Sequence, residues 1–184
     1  IGPELLDLWS DGRLCPHFHL PLQSGSDSVL RRMRRRYDAE LYFAAVEMIR
    51  SRVPGVSITT DVMVGFPGES EAEFEETMAL CRRIGFGAMH VFPYSIRPGT
   101  SAAHSDGQVA SNVKSRRVRE LMEVAEEQFS EFRNRFEGTV RSVLWEEGRR
   151  GCGSTIWTGL TDNYIRVTAN SSSSLTNRVT STKL

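Results

Sequence analysis

The sequence predicts an α/β fold followed by a small all-β unit, with the division near residue 138. Over the first hundred residues, apolar runs of strand length alternate with segments of helical periodicity. The breaks after those runs are long and rich in Gly, Pro and Ser. At Gly138 the texture changes to short β-branched runs between Gly, Asp-Asn and Ser-rich turns.

Residues 15–22 (CPHFHLPL) read as a short strand feeding a loop, and residues 23–26 give a turn. A helix is predicted over 27–36. A second runs over 38–52, with Asp38 as N-cap, Leu41, Ala45, Met48 and Ile49 on one face, and Pro54-Gly55 as its stop. Residues 56–64 (VSITTDVMV) are nearly continuously apolar, as a strand buried in a parallel sheet is, except for Asp61. Residues 65–68 break that strand, and Ser70 and Glu73 have the spacing of a capping box. The helix they open carries Phe74, Thr77, Met78, Cys81 and Ile84 on one side and ends at Gly85. A third strand over 89–94 enters the loop 95–100. Such a βαβ series places its loops at the strands' C-terminal ends, where parallel α/β barrels build their active sites.

Ser111 opens a long helix to about residue 136, with Val118, Leu121, Met122, Ala125, Phe129 and Phe132 on one side. Residues 140–145, 156–160, 164–168 and 178–184 are strand candidates for a compact β-barrel. A unit that small has a marginal core and is expected to lean on what precedes it. The expected domains are 1–137 and 138–184.

Lys+Arg and Asp+Glu both total 23, so bulk charge gives no argument for nucleic acid; only local patches can. Cys15, Cys81 and Cys152 lie far apart, with neither disulfide-framework nor zinc-finger spacing. Reduced thiols, no apolar run long enough to cross a bilayer and no basic-then-apolar leader give a cytoplasmic expectation. The first residue is Ile, which fits a chain cut from something longer.

Three phrases in this order, HLPLQSGSDSVLRRMRRRY (19–37), TTDVMVGFPGESEAEFEET (59–77) and FPYSIRPGTSA (92–102), resemble the radical S-adenosylmethionine tRNA and ribosomal methylthiotransferases. The tail, VLWEE (143–147), WTGLTDNYIRV (157–167) and NRVTSTKL (177–184), resembles their terminal RNA-binding TRAM domain. It is most similar to that of enzymes acting on N6-threonylcarbamoyladenosine at position 37 of tRNA, a likeness that implies a natural C-terminus at or near Leu184. The resemblance implies the C-terminal half of a TIM-like partial (β/α) barrel followed by a small TRAM barrel. It implies S-adenosylmethionine as cofactor, the tRNA anticodon loop as partner, and a missing N-terminal barrel half. That half carries a Cys-x3-Cys-x2-Cys loop for a [4Fe-4S] cluster, a spacing this sequence lacks, so the chain alone is expected to be inactive.

On the same resemblance, Gln23 and Ser24 are candidates to hold the cofactor's ribose or carboxylate, and Gly65, Phe66 and Glu69 to line its adenine. Tyr94 and Ser95 leave the third strand on that rim. Arg97 holds a carboxylate or an RNA phosphate, or else its own loop. Asp61 either hydrogen-bonds inside the barrel or faces the cofactor, because burying it unpaired is costly. His17 and His19, two apart, suit packing inside the barrel better than a metal; His90 and His104 receive no role. Among Arg31, Arg32, Arg34, Arg35 and Arg36, some face solvent or pair with the acidic helix, and Arg34 and Arg36 are candidates for RNA phosphates. In the tail, Tyr164 and Arg166 are candidates for RNA, with Trp145 and Trp157 equally suited to the core. Two other functions stay open: an aspartate of a ribosomal protein as substrate, and an RNA-binding module without catalysis.

Overall fold

The computed structural model describes residues 1–150 and 154–184; Cys152 lies outside them. A short helix, α1 (Pro3–Leu6), and a 3-10 turn (Asp7–Ser10) precede β1 (His17–His19). Then come α2 (Asp27–Arg32), α3 (Ala39–Arg52), β2 (Ser57–Val64), α4 (Glu71–Ile84) and β3 (Ala88–Pro93). β1, β2 and β3 lie side by side in that order, all parallel, with His19 opposite Thr59 and Asp61 opposite His90. Parallel crossovers are right-handed, so a sequential strand order puts α3 and α4 on the same face. Burial agrees: Phe18, Ile58, Val62 and Val64 join Val46, Ile49, Phe74 and Ile84 in one core. Alternation along the strands sends His19, Thr59, Asp61 and His90 to the opposite face.

The caps form as their spacing requires. Asp38 accepts a hydrogen bond from the Leu41 amide at 2.8 Å. Ser70 and Glu73 complete a reciprocal capping box, and Gly85 closes α4 at φ 67°. The residues expected on the inner side of α4 are all buried.

Three expectations about the helices are corrected. α2 ends at Arg32 rather than at residue 36, because Arg34 adopts φ 58°. The Arg35 amide reaches Leu30 O at 2.9 Å and the Arg34 amide reaches Arg31 O at 3.0 Å, a Schellman turn on a non-glycine residue. α3 buries Tyr42, Val46 and Ile49, so of the expected face only Ile49 is fully inside. It is apolar on two adjacent stripes, and the sheet takes one. Leu41, Ala45 and Met48 instead line an open apolar groove of about 370 Å³ with Leu20, Pro21 and Tyr37. The long helix α5 (Ser111–Asn134) buries Arg117, Leu121, Val124, Gln128 and Phe132, leaving Met122 outside. Two polar residues in that stripe hide it from a hydrophobic pattern. Gln128 accepts from the Phe86 amide and donates to Cys81 O, so it ties α5 to α4.

β4 (Val140–Arg150), β5 (Thr155–Thr161), β6 (Arg166–Ser171) and β7 (Val179–Lys183) form an antiparallel sheet in the order β6-β5-β4-β7, with a bulge at Trp145/Glu147. β6 starts later than expected because Tyr164, at φ 70°, sits in the turn that leaves β5. Among the described residues no pairing joins β6 to β7, so this is an open sheet by its hydrogen bonds, not the closed barrel expected. It leans on the N-terminal end of the parallel sheet. Buried Asn163 donates to Gly55 O at 3.2 Å, and the Tyr164 ring stacks on His17 at 4.4 Å.

Candidate active site

The C-terminal ends of the three parallel strands form a rim, and the three sequence phrases meet there. One cleft of about 440 Å³ is lined by Gln23, Arg34 and Arg35 from the first, Met63 and Phe66 from the second, and Thr100 from the third. Gln23 is stitched to the end of β2: its amide donates to Asp61 O at 2.8 Å and its carbonyl accepts from Met63 N at 2.9 Å. It is held at φ 66°, a strained conformation for a residue with a side chain. Its Oε1 accepts from Arg35 at 3.1 Å, leaving the amide NH₂ as a donor. Phe66 lies edge-on to Tyr94, with ring centres 5.4 Å apart. Gly65, at φ 73°, has no room for a Cβ, which would sit 2.5 Å from Lys114 Cγ. Lys114 in turn donates to Tyr94 O at 3.0 Å, joining α5 to the rim.

Other residues expected at the rim face elsewhere. The Ser24 hydroxyl is fully buried, 3.2 Å from Thr77 Oγ1, and packs the turn on α4. Glu69 is also buried. Its Oε2 accepts from the Gly65 amide at 2.6 Å and from Arg117 at 2.7 Å, so it pins the loop from within. Burial pushes the Glu69 carboxyl up, against the Gly65 amide and the Arg117 guanidinium, which hold it down. Tyr94 is buried, with a hydroxyl that has no hydrogen-bond partner among the described residues. Ser95 and Arg97 stand exposed on the loop after β3. Of the arginine run, Arg32 pairs with Glu73 at 2.8 Å and holds that carboxyl near about 2, while Arg34 and Arg36 are exposed.

The sheet face opposite the core holds a cluster that sequence reasoning did not assemble. Asp61 Oδ2 lies 3.3 Å from His19 Nε2, and Asp61 Oδ1 lies 3.4 Å from His90 Nδ1. His19 Nδ1 is 3.1 Å from Thr59 Oγ1, which is 3.0 Å from His17 Nε2. Asp61 thus pairs inside the sheet face rather than at the rim. The signal for His90 was the parallel register, which a single strand cannot display. Burial, then the neighbouring His19, hold His17 below the usual imidazole value. Among the described residues, no group of three ligating side chains is arranged to hold a metal ion.

In the β-unit, Trp145 is buried and donates to Thr180 Oγ1 at 2.8 Å, and Trp157 is buried. Arg166 is exposed, 3.8 Å from Glu146, and lines a cleft of about 450 Å³ with Arg133 and Lys183. Tyr164 is outside that cleft, one ring face on His17.

A cofactor with an aromatic base suits the rim: Phe66 offers an apolar ring, the glycine turn lets backbone approach, and Gln23 offers a donor. An iron–sulfur cluster does not suit the described cysteines. Cys15 is exposed and alone, and Cys81 is buried, its thiol pushed up to about 12 by that burial.

Comparison with known proteins bears out the resemblance. The Radical SAM superfamily model matches residues 1–81. The threonylcarbamoyladenosine tRNA methylthiotransferase MtaB of Bacillus subtilis (strain 168) is 36% identical over 182 residues, 98% of this chain and 40% of the relative. A tRNA-2-methylthio-N(6)-dimethylallyladenosine synthase of Carboxydothermus hydrogenoformans is 38% identical over 175 residues, again 40% of its length. One from Clostridium botulinum (strain Langeland) is 42% identical over 134 residues, 73% of this chain and 30% of the relative. The chain therefore resembles radical SAM tRNA methylthiotransferases over most of its length and spans about 40% of the first of them.

Proposed function

We propose that this chain is the C-terminal part of a cytoplasmic radical S-adenosylmethionine enzyme that adds a methylthio group to carbon 2 of N6-threonylcarbamoyladenosine at position 37 of tRNA. The observation that carries this reading is the convergence of all three motif phrases on one cleft at the C-terminal rim of a parallel sheet. That is where α/β barrels do their chemistry.

When bound, S-adenosylmethionine supplies the one-electron and methyl chemistry. The chain's own share is to seat and shield it. Phe66 packs on the adenine, the turns at Gly65 and Gly68 (φ 75°) admit its edge, and the Gln23 amide orients a polar end. The buried Glu69–Arg117 pair keeps that wall in place. The [4Fe-4S] clusters would be held by residues this chain does not contain, so the chain alone is inactive in this reading. The lengths of the relatives support such an arrangement. The domain division at residue 138 belongs to the same proposal, with the second part binding the anticodon arm through Arg166 and its cationic neighbours.

The substrate follows the likeness of the tail and the name of the Bacillus subtilis relative. The synthases named for dimethylallyladenosine are 38% and 42% identical against 36%, so the test must separate the two. The complete reading frame containing this chain is expressed, its clusters are reconstituted without oxygen, and it is incubated with tRNA bearing one or the other modified adenosine. Nucleoside mass spectrometry should show methylthio-N6-threonylcarbamoyladenosine. Product only on dimethylallyladenosine would replace the substrate, and none on any tRNA would overturn the reading.

A further inference from the structure

The parallel sheet has two unlike faces. The covered one is hydrocarbon apart from the hydrogen-bonded Thr60; the other presents His19, Asp61 and His90 with Phe92 and Met63 beside them. A face meant for packing would not carry a carboxylate between two imidazoles. His19 Nε2 is hydrogen-bonded to Asp61 Oδ2 at 3.3 Å, and His90 Nδ1 lies 3.4 Å from Asp61 Oδ1. His19 Nδ1 is also engaged, 3.1 Å from Thr59 Oγ1, whereas His90 Nε2 has no partner among the described residues. The His90 side chain is 74% exposed, so that nitrogen is accessible.

Next to His90 is an apolar surface. The Phe92 ring centre lies 5.2 Å from that of His90, and Met63 is its neighbour in the register. Met63 also lines the rim cleft, so the two places are contiguous. The cluster offers one negative charge already shared between two imidazoles, which suits a neutral polar ring better than a phosphate.

We propose that this face receives the target nucleobase: Phe92 and Met63 bear its ring, and His90 Nε2 hydrogen-bonds a polar atom on its edge. Asp61 acts through His90 and is a positioning residue. This deepens the function proposed above and rests on it.

The experiment uses the complete protein and two anticodon stem-loop RNAs, one with the target adenosine and one abasic at that position. Binding is read by fluorescence anisotropy without cofactor. The wild type should prefer the intact RNA by about tenfold. His90→Phe and Phe92→Ala should each reduce that preference to about threefold or less, and His90→Gln, which keeps a hydrogen-bonding side chain, should retain most of it. With cofactor and reductant, His90→Phe should yield about tenfold less methylthio product per 5′-deoxyadenosine formed. His104→Ala, on the exposed 3-10 turn (Ser101–His104), should match wild type throughout. A wild type that methylthiolates tRNA yet binds both RNAs alike overturns this inference alone. One that binds neither RNA overturns this inference and the functional reading together. A His90→Phe variant with unchanged preference and unchanged product ratio removes His90 from the site.

Discussion

Replacing Arg117 by Met should destabilise the protein in a manner set by pH. Arg117 and Glu69 are almost wholly buried, 4% and 1% exposed in their side chains, with 2.7 Å between them. Met keeps much of the hydrocarbon stem that packs near Phe74 and removes the charge. Glu69 then has two options. It stays ionised and unpaired, a loss of about 3–5 kcal/mol for a broken buried pair, or it takes up a proton. From an ordinary value of 4.5, protonation at pH 7 costs about 3.4 kcal/mol, and at pH 5 about 0.7. Protonation therefore caps the charge penalty near 3 kcal/mol at pH 7 and lowers it below about 1 at pH 5. The sign follows from linkage: the folded variant binds a proton that the unfolded chain has released. Stability is full below the unfolded value and is lost as pH rises through the raised folded one. Glu71 and Glu73, held near about 2 by their arginines, act in the opposite sense and at lower pH. Their contribution is present above about 4.5 and is lost as pH falls towards about 2, so the interval from pH 5 to 7 reports on Glu69. Urea unfolding of wild type, Arg117→Met and Arg117→Met/Glu69→Gln at pH 5, 6 and 7 is the assay. The double variant should recover to within about 1 kcal/mol of wild type, because Gln is neutral and still accepts from Gly65. A single-variant penalty that is flat from pH 5 to 7, or a double variant no more stable than the single, would refute the reasoning.

Gln23→Gly should leave stability unchanged or raise it by about 1 kcal/mol, since it removes strain at φ 66°, yet weaken S-adenosylmethionine binding. Thermal melts and isothermal titration on the complete protein separate the two effects, and cofactor affinity equal to wild type would remove Gln23 from the site. Gly65→Ala should cost about 1–3 kcal/mol in chemical denaturation, from the positive φ and the contact with Lys114. Adding Lys114→Ala should return only the contact part; full recovery would show the backbone to be unstrained. Arg166→Ala should weaken anticodon-arm binding and lower the slope of log K against log salt by about 1. An unchanged slope would exclude a phosphate contact.

How far the sequence was legible varies with whether a feature is local. The capping box at Ser70, the N-cap at Asp38 and the stop at Gly85 are written in neighbouring residues and form as expected. α3 was harder, because Leu41 and Tyr42 head two stripes that are equally apolar, and only the sheet decides between them. The inner stripe of α5 was hidden because Arg117 and Gln128 are buried through partners far away in sequence. At the site, Gln23 and Phe66 were recognisable from their motifs and both line the rim cleft. Ser24 and Glu69 belong to the same motifs, but their side chains turn inward to support it. Membership of a motif brings residues to one cleft, though it does not say which of them face it.

β2 shows why the rim and the sheet face can be altered separately. Of its even positions, Ile58, Val62 and Val64 are part of the core and Thr60 is buried beside them, while Thr59, Asp61 and Met63 face the other way. A shift of register by one residue would exchange the two sets, placing a carboxylate in hydrocarbon and valines in the open, so the strand is strongly fixed. Gln23 reads that fixed strand through backbone bonds to Asp61 and Met63; the Met63 side chain lines the cleft, while that of Asp61 pairs on the sheet face. Substitutions on the Asp61 side chain should then leave the Gln23 backbone geometry intact. Asp61→Asn in the complete protein should bind S-adenosylmethionine like wild type and lose discrimination between intact and abasic RNA. Loss of cofactor affinity and base discrimination in equal measure would mean that the rim and the face are one site.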